Sequence, residues 1–152
     1  MSEIRRPDLA AMIVPLVRGL MAAEQPLLDR HGLTMWEYAV LLGLDSEPVY
    51  TQTALARSIG ADKTRVIGVL DGLQRRGLIR REPDPADRRV NLVSITDEGR
   101  GLRDATQRDI QRHEEESVLA ALPPGDRKTF LRALAVLHAN AVADRAAPPP
   151  SG

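Results

Sequence analysis

The side chains best suited to chemistry in this sequence are arginines and lysines concentrated in one stretch of the chain. Residues 57–89 contain nine basic and five acidic side chains, whereas the whole chain has 21 of each. In residues 97–116 the balance reverses, with seven acidic and four basic side chains. A basic segment in an otherwise neutral chain is typical of a local surface that binds an anion.

A helix predicted over residues 62–76 carries polar side chains on the outer face of its first turns. Arginine and lysine donate hydrogen bonds to guanine O6 and N7, and threonine offers a hydroxyl and a methyl group to base edges. The predicted base contacts in the DNA major groove are Lys63, Thr64, Arg65 and Ile67. Arg75 and Arg76, at the far end, are expected to contact phosphates or to cap the helix C-terminus. For each of these residues the alternative is a side chain that is merely solvated.

A shorter helix predicted over residues 51–58 precedes this one, and the two have the spacing of a helix-turn-helix. Such a pair needs a small residue where the helices touch, a glycine at the turn and apolar residues inside. Ala56, Gly60 and Val66 occupy those positions. The rest of the inner face is predicted to be Leu55, Ile59, Ala61 and Val69. An ordinary helical hairpin has the same requirements and is the alternative interpretation.

Strands predicted over residues 78–82 and 90–95 enclose a charged turn, which we interpret as a wing. Arginine suits the narrow, electronegative minor groove, and a neighbouring carboxylate can hold its guanidinium in place. We predict that Arg89 enters the groove, that Asp87 orients it and that Arg88 contacts a phosphate. The alternative is a solvated loop.

Helices are predicted on both sides of this basic segment. Apolar residues at helical spacing indicate a first helix from about residue 9 to Gly32, which Pro15 and Pro26 are expected to kink or interrupt. Thr34 and Glu37 have the spacing of a capping box, which opens a second helix through about residue 45. A long charged helix is predicted over residues 96–121, and two prolines separate it from a last amphipathic helix.

These elements predict a mainly α protein with a small β-hairpin wing, in which a winged helix-turn-helix lies between N- and C-terminal dimerisation helices. The predicted boundaries are residues 1–32 for the first dimerisation helix, 33–96 for the DNA-binding domain, 97–145 for the C-terminal dimerisation helices and 146–152 for a disordered tail. The terminal helices carry apolar stripes, which a partner chain would bury in a homodimer.

Composition limits the other function classes. There is no cysteine, which excludes disulfides, thiolate zinc sites and cysteine-based redox sensing. We expect no membrane association and a cytoplasmic location, because no apolar run approaches the length of a membrane span and the first residues lack a signal peptide. We also predict no enzyme, metal site or cofactor, since nucleophile elbows, phosphate-binding glycine loops and zinc-spaced ligands are missing.

Residues 84–99, DPADRRVNLVSITDEG, resemble the wing signature of the MarR family of transcription regulators. The similarity extends over nearly the whole chain, including the entry to the second helix at Leu33 and Thr34 and the element order. It implies a homodimer with interlocked terminal helices and two winged domains that reach consecutive major grooves of a pseudo-palindromic duplex operator. It also implies repression relieved by a small, often aromatic or phenolic, ligand. The chain departs from the family at Gly68 and Gly72, where many relatives carry polar or basic residues.

A ligand crevice is expected where the dimerisation helices meet the winged domain. The candidate ligand-binding residues are Arg18, His31, Trp36 and Tyr38, of which Arg18 can pair with an anionic ligand. For the two aromatic residues the alternative is a place in the core or the dimer interface. For the chain as a whole, the rival hypothesis is a winged helix that binds another protein and not DNA.

Overall fold

The computed structural model describes residues 5–44 and 50–146. Its helices are α1 (Leu9–Arg30), α2 (Met35–Gly43), α3 (Gln52–Ile59), α4 (Lys63–Arg75), α5 (Asp97–Ser117) and α6 (Pro124–Ala146), with a 3-10 turn at Leu119–Ala121. Its strands are β1 (Tyr50–Thr51), β2 (Ile79–Pro83) and β3 (Asn91–Ile95). The predicted fold class, mainly α with a β-hairpin wing, is confirmed. The predicted tail beyond residue 146 and the predicted end of α2 near residue 45 lie outside the described residues.

Local signals set the helix ends. The capping box is present, because Thr34 Oγ1 accepts a hydrogen bond from the backbone N–H of Glu37 at 3.1 Å and the Glu37 carboxylate accepts one from Thr34 N–H at 2.9 Å. Asp62 caps α4 with a single hydrogen bond, which its carboxylate accepts from the backbone N–H of Arg65. Gly60 ends α3 with φ of 71°, a left-handed conformation that glycine adopts without the Cβ clash of other residues.

The sheet has three antiparallel strands in the order β1, β3, β2. In the hairpin, Ile79 pairs with Ile95 and Arg81 with Val93. The third strand, β1, is a finding that the sequence did not predict, since two residues are too short to show the alternation of a strand. It pairs with β3 at Thr51 and Leu92, and it fixes the start of α3 against the wing.

The core lies inside the winged module and against the middle of α5. Predicted inner-face residues of the helix-turn-helix are buried at Leu55, Ala56 and Val66 and partly buried, packed on the core, at Ile59, Ala61 and Val69. The largest fully buried side chains include Leu28, Leu41, Leu70 and Ile79. The core therefore joins the end of α1, α2, both helices of the helix-turn-helix and the sheet into one body.

The two prolines of the first helix do not interrupt it. Pro15 and Pro26 lie inside α1, which runs over 22 residues, because a proline removes only one hydrogen bond and the neighbouring turns keep theirs. The kink that was the other predicted outcome stays a prediction. With mean hydropathy of 1.2 in its most apolar stretch, α1 is also long and apolar enough to span a membrane, contrary to our expectation. Length and composition are a weak criterion, which core helices and signal sequences also meet. The relevant observation is that this stretch is only 11% buried.

Candidate nucleic-acid interface

Helix α4 separates an apolar inner face from a polar outer face. Val66, Leu70 and Leu73 are buried, which turns the intervening residues of the first two turns outward. The predicted base contacts on the exposed face are Lys63, Thr64, Arg65 and Ile67. All four can therefore be reached by an approaching duplex.

Arg65 lies against an aromatic ring of a neighbouring helix. Its guanidinium carbon is 5.4 Å from the centroid of the Trp36 ring, a cation–π contact between α4 and α2. Trp36 is partly buried, whereas Arg65 is exposed. Trp36 was predicted as a ligand-binding residue, and the structure places it under a predicted DNA contact.

The two arginines at the end of α4 have different surroundings. Arg76 Nη1 donates to the carbonyl oxygen of Gly32 at 2.9 Å and pairs with the Glu37 carboxylate at 3.2 Å. This guanidinium ties the C-terminus of α4 to the turn before α2, which makes it a structural link between helices. Arg75 is exposed on the last turn and remains a predicted phosphate contact.

At the wing tip, Arg89 is paired with Asp87. Arg89 donates from Nε to Asp87 Oδ1 at 3.1 Å and from Nη2 to Asp87 Oδ2 at 3.3 Å, so the two side chains form a two-point pair. These hydrogen bonds lower the pKa of Asp87 below its ordinary value and keep it ionised. The Arg89 side chain is 91% exposed, and Arg88 beside it is exposed as well. The geometry is that of an arginine held outward by a carboxylate.

Arg81 is a residue that the sequence analysis missed. From β2 it donates to Asp71 Oδ1 and Gln74 Oε1 of α4, both at 2.5 Å, and so links the wing to the helix-turn-helix. A signal was present in the strand period: Arg81 lies two residues after the buried Ile79 and therefore on the same side of β2.

A crevice of about 290 Å³ lies between α1, α2 and α5. It is lined by Glu24, Met35, Tyr38, Ala39, Leu42, Gln107, Ile110, Gln111 and Glu114. Of the four predicted ligand-binding residues, only Tyr38 lines it. Arg18 is exposed on α1, and His31 is 2.6 Å from the Asp109 carboxylate, which ties the end of α1 to α5.

The ionisable carboxyl groups that line this crevice are Glu24 and Glu114, beside the neutral amides of Gln107 and Gln111. Burial raises the pKa of Glu24, and the neighbouring Glu114 carboxylate raises it further. Burial likewise raises the pKa of Glu114, against a smaller opposing effect of His113. The pKa of the Tyr38 hydroxyl rises to about 12, first through burial and then through Glu24 and Glu114, so it stays protonated near neutral pH. The crevice thus offers carboxyl oxygens and a phenol hydroxyl to a ligand.

The family model for the MarR family matches residues 33–90, which is the helix-turn-helix and most of the wing. Solved structures extend the likeness: the chain is 25% identical to MarR with a TM-score of 0.80, covering 95% of this chain and 98% of MarR. Over residues 33–90 this chain is similar to the MarR family, and over nearly its whole length its fold is similar to that of MarR.

Two further proteins that resemble this chain are informative. The transcriptional regulator HosA of Escherichia coli O111:H- is 34% identical over 94 residues, which are 62% of this chain and 58% of HosA. The repressor CouR bound to a 23-mer DNA duplex is 26% identical with a TM-score of 0.74, covering 90% of this chain and 99% of CouR. CouR from Rhodococcus jostii RHA1 is also solved with p-coumaroyl-CoA, at 25% identity, a TM-score of 0.70 and coverage of 95% and 96%. The matched segment thus spans less than two thirds of the curated relative HosA.

The two glycines that depart from the family pattern face open space. A Cβ built on Gly68 would meet nothing within 4 Å, and one on Gly72 would meet only the end of the Arg75 side chain at 3.9 Å. Packing inside this chain therefore does not require glycine at either position, and α4 has a smooth stretch on its outer face.

Proposed function

We propose that this protein is a transcription regulator that binds a pseudo-palindromic duplex operator as a homodimer. The observation that carries the proposal is the wing-tip Arg89, held outward by Asp87, beside a helix whose outer face presents Lys63 and Arg65. An exposed arginine on a hairpin suits the minor groove, and basic side chains on the first turns of a recognition helix suit guanines in the major groove.

The homodimer follows from the two terminal helices. Large apolar side chains of α1 and α6 are exposed, and a groove between these helices is lined by Leu16, Leu20, Phe130, Leu131 and Leu134, among others. Contiguous apolar surface of this kind marks an interface. A second copy would bury it and would place two winged modules on the two halves of an operator.

The crevice between α1, α2 and α5 is our proposed effector site. Two glutamates and the Tyr38 hydroxyl line it, so a neutral phenol or an amine fits its charge better than the anionic ligand that the sequence suggested. A ligand there would push on α2, which carries both Tyr38 and Trp36, and would change the position of the winged module. Release of the operator on ligand binding would relieve repression, and we place this repressor in the cytoplasm, where its DNA lies.

The test is a fluorescence-anisotropy titration with fragments of the DNA upstream of its own gene, repeated at several salt concentrations. DNA binding predicts an affinity that falls steeply as salt rises, because phosphate contacts release counterions. Arg89→Ala should weaken binding by about 10-fold to 100-fold and leave the melting temperature unchanged, since the side chain is exposed. Arg108→Ala on α5 removes the same charge from an exposed position outside the winged module and is the control.

Two results would contradict the proposal. If no fragment binds at low salt, a protein-binding winged helix becomes the better hypothesis. If Arg89→Ala and Arg108→Ala weaken binding equally, bulk charge and not the wing is responsible.

A further inference from the structure

We propose that Trp36 is a positioning residue for operator reading, whose indole ring holds the Arg65 guanidinium ready for a guanine. The inference rests on the proposed function, because Arg65 reads bases only if α4 enters the major groove. It gives Trp36 a role different from the ligand contact that the sequence suggested.

The first step is the geometry of the pair. The Arg65 guanidinium carbon lies over the Trp36 ring at 5.4 Å from its centroid. A guanidinium that rests on an aromatic face uses its own flat face for the contact and keeps its N–H donors at the edge. Those edge donors are the ones that form the two parallel hydrogen bonds to guanine O6 and N7. A guanidinium in this position over the ring is therefore compatible with base reading.

The second step concerns the order of a long side chain. Arg65 is exposed, and an exposed arginine samples many rotamers that must be given up when it binds. Trp36 is partly buried and lies on a helix that begins with a complete capping box, so the ring has a fixed position. A ring that restricts the Arg65 side chain before binding reduces the conformational entropy that Arg65 loses when it binds DNA. The operator affinity is higher as a result.

The third step is that α2 is held against both ends of α4. Trp36 contacts Arg65 in the first turn of α4, and the next residue, Glu37, pairs at 3.2 Å with Arg76 at its end. Two adjacent residues of one helix thus fix the recognition helix at two points. A shift of the α2 backbone at Trp36 away from α4 would therefore also disturb the link at Arg76.

The experiment is a double-mutant cycle read by operator affinity. Trp36→Leu removes the aromatic face and keeps an apolar side chain, Trp36→Phe keeps an aromatic face, and Arg65→Ala removes the cation. We expect Trp36→Leu to weaken operator binding about threefold to tenfold and Trp36→Phe to retain most of the affinity. In the Arg65→Ala background, Trp36→Leu should cause no further loss. In Trp36→Leu, the affinity for a duplex of scrambled sequence should change by less than about twofold, since phosphate contacts dominate non-specific binding.

A second readout uses the protein's own fluorescence, because Trp36 is the only tryptophan in the chain. Arg65→Ala should shift or brighten its emission while circular dichroism stays unchanged. This measurement decides the contact even if Trp36→Leu fails to fold, because an unchanged emission spectrum would overturn it.

The outcomes separate the two proposals. If the wild type binds an operator fragment but Trp36→Leu costs the same with and without Arg65, the positioning role is wrong and the proposed function stands. The same holds if Trp36→Phe is as damaging as Trp36→Leu. If the wild type binds no fragment, both proposals fail.

Discussion

The winged module and the terminal helices differ in how their apolar side chains are buried. In the module, residues such as Leu55, Leu70 and Val93 are fully buried by other parts of the same chain. In the described residues, 15 large apolar side chains are exposed, and 13 of them lie on α1 and α6. One region is thus complete as a single chain and the other is not. We call the winged module the closed level, because the chain buries its apolar side chains by itself. We call α1 and α6 the open level, because a second copy of the chain would bury theirs.

Polar contacts are present in both regions, and His31 with Asp109 joins α1 to α5. The module has internal pairs that hold its parts in register, such as Arg81 with Asp71 and Arg76 with Glu37. Where the module meets α5, the contact is by close approach: a Cβ on Gly99 would overlap the carbonyl oxygen of Leu78. The junction is therefore rigid and belongs to the closed level.

The largest effect is expected from Gly99→Ala, which attacks that junction. The added methyl group meets backbone, which cannot rotate away, so either α5 or the start of the wing must move. We expect a loss of about 3 kcal/mol or more in the free energy of unfolding, measured by urea denaturation. Gly101→Ala, two residues on in the same helix, meets nothing within 4 Å and should gain up to about 1 kcal/mol. Equal effects of the two substitutions would mean that α5 is not tightly docked.

The next effect tests the open level. Leu134→Glu places a carboxylate in the apolar groove between α1 and α6, and we expect it to convert the dimer to a monomer in light scattering. Operator affinity should fall by about 100-fold, because a single module keeps only half of the contacts. The module should keep its helical signal, since its core is internal to the chain. Asn140→Glu adds the same charge at an exposed polar position of α6 and should leave the oligomeric state unchanged.

The same division explains which features could be predicted from the sequence. The capping box at Thr34, the turn at Gly60 and the Asp87–Arg89 pair are set by residues within three positions of each other. Short-range chemistry of this kind can be read directly from the order of residues. The fold class and most helix ends were accordingly correct.

Contacts between distant residues were not predictable in this way. Arg76 reaches the carbonyl of Gly32 and the carboxylate of Glu37, and His31 reaches Asp109 on a helix far along the chain. Periodicity tells which face of a helix is buried but not which residue lies opposite. For this reason His31 and Trp36 were assigned to a ligand crevice, whereas their neighbours are Asp109 and Arg65.

A smaller effect is expected from Gly68→Ala, which separates folding from binding within the module. Open space around Gly68 means that alanine should stabilise α4, by about 1 kcal/mol, through its higher helix propensity. We expect operator affinity to fall several-fold, because the methyl group would stand between the helix and the duplex. Urea denaturation and anisotropy titration give the two values. Gly101→Ala, with the same gain in stability, should bind the operator with wild-type affinity. Wild-type affinity in Gly68→Ala as well would mean that the smooth stretch of α4 does not approach DNA.

The smallest effect tests the boundary between the two levels, where Glu114 lines both the ligand crevice and the groove between α1 and α6. Burial raises the pKa of this carboxyl in the folded protein above its ordinary value of 4.5. The folded state then holds this proton more tightly than the unfolded state, so the contribution of Glu114 to stability is fully present below pH 4.5 and is lost as the pH rises through the raised pKa. Glu114→Gln cannot lose a proton, and it should melt slightly higher than wild type at pH 7 and equally at pH 4. Glu116→Gln, at an exposed position of the same helix, is the matched control in a melting series across this range. If a second copy buries the groove further, the difference in melting temperature between Glu114→Gln and wild type at pH 7 should grow with protein concentration. A difference that does not change with concentration would mean that Glu114 is buried in the crevice alone.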